Sequence, residues 1–196
     1  MFASYIQTLG KLVSTTRATA RDGDDMILDS AVEAVGTEMM ATHRGGNKLM
    51  FVGNGGSAGI CGHMATDFSK NGGMRAIAFN DAAILTCLAN DYGYEHVFAK
   101  QIEWHAAPGD LLIAISSSGC SRNILNAAKV ARKAGCRIVT LSGFRPTNPL
   151  RALGDINLYI ASQDYGFVEV GHLALLHGIL DIQMGWGAEE ADRQVA

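Results

Sequence analysis

Residues 47–70, NKLMFVGNGGSAGICGHMATDFSK, decide how this chain is read. Four apolar residues, Leu49 to Val52, run into a glycine-rich turn and then into a helical stretch over 57–70. A short apolar run that ends in glycines marks a buried strand entering a turn. The pattern recurs in RAIAFND, GDLLIAISSSG, CRIVTLSG and INLYIA, each bounded by Gly, Asp or Ser. Helical stretches over 82–89, 94–106 and 121–134 lie between these runs, the last with Ile124, Leu125, Ala128, Val130 and Ala131 near one face. Strands alternating with helices predict βαβ units and a parallel sheet covered on both sides. Upstream, apolar spacing predicts two helices, over 2–20 and 25–44, broken near Gly23. Downstream, 167–185 reads as a helix that is apolar nearly all round, hence buried or in a subunit interface. No linker or repeat interrupts the chain. The expectation is one domain: N-terminal helices over 1–45, an α/β core over 46–165, a C-terminal helix over 166–186 and a polar tail over 187–196.

Composition narrows the function classes. With 196 residues, 48% of them hydrophobic, the chain is long enough for a real core and too apolar for disorder. A net charge of −3 gives no basic field of the kind a nucleic-acid binder displays. The longest apolar runs, such as DLLIAIS and LALLHGILDI, are too short to span a bilayer, and the N-terminus lacks the compact apolar core of a signal peptide. Cys61, Cys87, Cys120 and Cys136 are dispersed without a Cys-x-x-Cys pair, which points to reduced thiols in a cytoplasm.

Two loops carry the chemistry. In such a sheet, ligands bind beyond the carboxyl ends of the strands, where both loops fall. Gly53, Gly55 and Gly56, with Asn54 between them, let a ligand approach the main chain, and a helix starting near Ser57 points free N–H groups at an anion. The bland alternative is a tight turn with Ser57 as a cap. The second loop, AISSSGCSRNIL, offers Ser116, Ser117, Ser118 and Ser121 before another helix, and hydroxyls with helix amides suit a phosphate. Capping by Ser121 is its competing reading. Neither loop has the spacing of a Walker or a dinucleotide-binding motif, which disfavours a nucleotide. His63 and Asp67, four apart, share a helix face. Glu169 and His177, eight apart, are separated by roughly 12 Å along a helix axis. Such a set suits proton transfer between adjacent carbons, or zinc, or plain structural histidines; spacing alone leaves all three open.

These residues, with VGNGGSA, LANDYGYEHVFAKQIE, PGDLLIAISSSGCSRNIL, IVTLSG and EVGHLALLHGIL in order, resemble the sugar isomerase (SIS) domain family and most closely its phosphoheptose isomerase branch. The resemblance covers about residues 25–185. It implies a three-layer αβα fold with a five-stranded parallel sheet behind N-terminal helices. It also implies a cytoplasmic homotetramer with interfacial sites that converts sedoheptulose 7-phosphate to the aldoheptose 7-phosphate, a step toward lipopolysaccharide heptose. Asn54, Gly55, Ser57, Asp91, Ser116, Ser117, Ser118 and Ser121 match phosphate- and sugar-binding positions. Asp67 falls where the family places a glutamate base, and His177 where it places its acid. His63, Asp67, Glu169 and His177 match residues that hold zinc in some members, so zinc or another divalent ion is the expected cofactor. This chain departs from the family in having Asp67 for Glu, Glu169 for Gln and Cys120 for Asn. Two other readings stand beside this one: an isomerase of a different phosphosugar, and a non-catalytic phosphosugar-binding regulator. The latter resembles the homologue that associates with the bacterial replication initiator, which lacks the histidine that His177 supplies here.

Overall fold

A computed structural model of the chain describes residues 1–186; the polar tail expected over 187–196 lies outside the described residues. In chain order the elements are α1 (Phe2–Ser14), β1 (Arg17–Ala20), β2 (Asp25–Met26), α2 (Leu28–Arg44), β3 (Leu49–Val52), α3 (Gly56–Lys70) and β4 (Ala76–Ala78). There follow α4 (Ala82–Tyr92), a 3-10 turn, α5 (Val97–His105), β5 (Leu111–Ser116), α6 (Arg122–Lys133), β6 (Arg137–Ser142), β7 (Ile156–Tyr159) and α7 (Tyr165–Gln183).

The strands form one sheet in the order β2-β1-β7-β6-β5-β3-β4. The five strands from β3 to β7 are mutually parallel, as the alternation of strands and helices predicts. β3, β5 and β7 are buried along their whole length, the mark of strands covered on both faces. Side chains alternate across the pleat. Leu49, Phe51, Leu111, Ile113 and Ile115 pack against α2, α3 and α7. Met50, Val52, Leu112 and Ala114 face the opposite core, with Phe98, Ile102 and Ile124 of α5 and α6. The three layers are therefore helix, sheet, helix.

The N-terminal region differs from the expectation. The helix expected over 2–20 ends at Ser14, and β1 and β2 form an antiparallel hairpin that extends the sheet to seven strands along β7. The reason is local. Gly23 takes φ 94, and the hairpin closes through Ala20 N–H to Asp24 O at 2.9 Å and Gly23 N–H to Ala20 O at 3.1 Å. A left-handed glycine between aspartates turns a hairpin. The second helix likewise begins at Leu28 rather than 25.

Topology places the ligand crevice. The chain runs from β3 to the edge strand β4, then crosses back to lay β5 on the other side of β3. Between β3 and β5 the connections diverge to opposite faces of the sheet, and at such a switch point a crevice opens beyond the strand ends.

Candidate active site

The turn after β3 follows from glycine chemistry. A Cβ on Gly53 would stand 2.8 Å from the backbone of Ser57, so only glycine lets the turn fold back on α3. Gly55 takes φ 54 as the residue before α3. The first bonds inside α3 are Ala58 N–H to Asn54 O and Gly59 N–H to Gly55 O, which leaves the Gly56 and Ser57 amides without intrahelical partners. Ser57 lies inside the first turn of α3 and is buried, so it is not the cap.

The turn after β5 faces it. Ser121 occupies the N-cap position of α6, yet its hydroxyl makes no capping bond and instead accepts from Ser116 Oγ at 3.3 Å. Ser118 Oγ accepts from the Cys120 N–H at 3.2 Å. The Ser117 hydroxyl is enclosed without a partner, and its carbonyl accepts from the Gly143 N–H at 2.9 Å. Together the two turns line a cleft of about 280 Å³ with Asn54, Gly55, Gly56, Ser57, Ser116 and Ser118 among its walls. Amides at two helix starts plus neutral hydroxyls make a place for an anion.

Asn54 and Asn123 lock the two turns together. Each side-chain amide donates to the other's oxygen at 2.9 Å, and Tyr94 Oη donates to Asn54 Oδ1 at 3.1 Å. Asn123 is buried at the first turn of α6. Neither Asn123 nor Tyr94 was expected from sequence. A reciprocal amide pair between residues 69 apart leaves no periodic trace, and only the Asn in SRNIL facing an Asn in GNGG could have hinted at it. Asp91 lies in the last turn of α4, where its carboxylate accepts from Asn90 Nδ2 at 2.8 Å, and it is not among the residues lining this chain's cleft.

Two helices on the same face of the sheet carry the titratable groups. On α3 and α7, His63 Nε2 lies 3.0 Å from His177 Nε2, and Asp67 Oδ2 lies 3.3 Å from the first and 3.8 Å from the second. The contact between the two nitrogens needs one of them protonated and the other not. All three donor atoms fall within 4.8 Å of one another. A tetrahedron with bonds of 2.0–2.1 Å has edges of about 3.3 Å. The observed separations bracket that value, and two imidazoles with a carboxylate are a zinc donor set, so the cluster fits such an ion. Glu169, the fourth member of the expected ligand set, stands outside this cluster. It lines the cleft instead, with its carboxylate over Gly56.

α7 is fixed by a histidine of another kind. His172 is fully buried, and its Nε2–H donates to Ser142 O at the end of β6 at 3.1 Å, while Nδ1 has no partner. Burial holds the imidazole neutral, with its pKa lowered from 6.5 to about 4, and the bond to Ser142 offsets this only in part. Above pH 6.5 both folded and unfolded chains carry neutral His172, and no penalty exists. As pH falls from 6.5 through 4 the unfolded chain takes up a proton that the folded chain refuses, and about 3 kcal/mol of stability is lost. Urea unfolding across that range should show this loss in the native protein and not in His172→Gln, whose amide can still reach Ser142. Equal pH dependence in the two proteins would contradict it.

Similarity to known proteins agrees with this geometry. The family model described as SIS domain matches residues 17–143. The phosphoheptose isomerase of a Bradyrhizobium species is 40% identical over 178 residues, which cover 87% of this chain and 88% of that protein. The phosphoheptose isomerase of Trichlorobacter lovleyi is 39% identical over 161 residues, covering 79% and 82%. Among solved structures, a phosphoheptose isomerase from Neisseria gonorrhoeae superposes with a TM-score of 0.80 at 27% identity, covering 93% of this chain and 97% of that one.

Proposed function

This chain belongs to the SIS domain family, in its phosphoheptose isomerase branch, and from that premise we propose that it converts sedoheptulose 7-phosphate to D-glycero-D-manno-heptose 7-phosphate. One observation carries the reading. The only titratable cluster of two imidazoles and a carboxylate among the described residues is built on α3 and α7, the helices that also supply Gly56, Ser57 and Glu169 to the anion cleft.

The phosphate sits on the amides that open α3, with hydroxyls of Ser116, Ser118 and Ser121 around it and Asn54 holding the two turns at a fixed separation. Its other end brings the carbonyl carbon and its neighbour toward the cluster. Asp67 Oδ2 faces the imidazoles, so Oδ1 is left for the substrate. There it takes the proton from C1 of the ketose while the C2 carbonyl oxygen takes one up, which gives the enediol; His177 then gives a proton to C2 as the O1 hydroxyl releases its own, which leaves the carbonyl at C1. Base and acid on separate side chains suit this two-carbon transfer. His63, Asp67 and His177 are the residues that hold a divalent ion, and zinc suits them. Such an ion, when bound, supplies Lewis-acid polarisation of the substrate oxygens. His177 Nε2 serves either as ligand or as proton donor, not as both at once.

The assembly is a homotetramer with sites at subunit contacts, and surface composition supports it. No residue of α1 is buried, and Phe2, Tyr5 and Ile6 on it, Ile84 and Tyr92 on α4, and Trp104 on α5 stay exposed. Asp91, which does not line this chain's own cleft, serves a neighbour's. A cytoplasmic location accords with four free cysteines, of which burial pushes the Cys136 thiol up to about 11. No helix among the described residues is long and apolar enough to cross a membrane. The test is incubation of the purified protein with sedoheptulose 7-phosphate and with sedoheptulose. Turnover of the first alone is expected. Turnover of neither would refute the assignment, and preference for another phosphoketose would move it to a different phosphosugar.

A further inference from the structure

Glu169 stands where the substrate's anionic group is expected. A Cβ built on Gly56 would lie 2.3 Å from Glu169 Oε2 and 2.5 Å from Oε1, so the carboxylate lies flat against the bare Cα of the residue that opens α3. It is also the only charged side chain among the residues described as lining the cleft. The remaining walls are asparagine, glycine, serine, isoleucine and tyrosine, and none of these carries the positive charge that would neutralise two anions together. A carboxylate and a phosphate cannot share one helix start without repulsion, and the dipole of α3 favours whichever anion is there.

We infer that Glu169 is a built-in competitor for the phosphate position. In the empty cleft its carboxylate takes the place of the anion against α3, and an entering phosphate must push it aside. The displaced carboxylate then accepts hydrogen bonds from hydroxyls of the sugar. Inorganic phosphate has no sugar hydroxyls to repay the displacement, whereas a phosphosugar has several. Glu169 therefore sets specificity: it weakens the grip on small anions while tolerating the larger substrate. The inference rests on the phosphate assignment of the cleft made above, and it concerns affinity rather than the proton transfers.

Calorimetric titration with inorganic phosphate alone, at neutral pH and on metal-free protein, tests it in the native protein, Glu169→Gln and Glu169→Ala. Glutamine keeps the shape and removes the charge, and alanine removes both, so a folding defect in one variant does not silence the other. Phosphate should bind both variants about tenfold more tightly than the native protein. Unchanged or weaker binding in the variants overturns the inference and leaves the isomerase reading intact. Absence of phosphate binding in all three proteins overturns the inference together with the phosphate assignment. Binding by the variants but not by the native protein supports it in its strongest form.

Discussion

Asp67→Asn is expected to lower kcat by about 10²- to 10⁴-fold while leaving KM for sedoheptulose 7-phosphate within a few-fold of its native value. The amide matches the carboxylate in shape, so α3 keeps its packing, yet it cannot accept a proton from carbon. The phosphate grip is separate, made by the start of the same helix more than two turns away and by the loop after β5. A loss in KM with kcat unchanged would mean that Asp67 binds substrate and does not act on it. Asp67 has an arm about 1.5 Å shorter than the glutamate usual in this family, and positioning errors of that size are felt in catalysis. The Asn54–Asn123 lock offers one physical answer, because it ties the two turns together and fixes where the substrate sits relative to α3.

His63→Ala is expected to weaken zinc binding on the order of a hundredfold or more, read by competition with a chromogenic chelator. His63 is the informative position because no proton transfer is assigned to it, whereas His177 would confuse two roles at one nitrogen. Its Nε2 makes the two shortest contacts in the cluster, 3.0 Å to His177 and 3.3 Å to Asp67, so its removal leaves two donors that are 3.8 Å apart. Unchanged zinc affinity in this variant would show that the ion, if bound, lies elsewhere, and the three side chains would then be a proton-sharing cluster only.

The central fold was legible because its signal is coarse. Each parallel strand is a short apolar run closed by Gly, Asp or Ser, and burial on both faces leaves no other reading for LMFV or LLIAIS. The hairpin at 17–26 was not legible as strands. Its four- and two-residue strands are too short to show a period of two, and the threonines and alanines of TTRATA continue the apolar spacing of α1. The turn residues at 22–24 are the available signal, and they suit a break between helices as well as a hairpin turn.

The site was legible to the extent that it lies on single elements. His63 and Asp67, four apart on α3, do share a face and do meet, and His177 joins them. Glu169 illustrates the limit. Spacing along α7 fixes its distance from His177 but not its rotamer, and the side chain turns to Gly56 instead of the imidazoles. Ser117 and Ser121 show the same limit: one hydroxyl is buried without a partner, and the other, at a capping position, caps nothing. Contacts between elements distant in sequence decide these orientations.

Isomerisation of sedoheptulose 7-phosphate in deuterium oxide, followed by NMR, tests the proton-transfer chemistry most directly. With Asp67 removing one proton and His177 delivering another, the aldoheptose 7-phosphate should carry solvent deuterium at C2. Product formed without deuterium at that carbon would contradict transfer through an enediol between two separate groups.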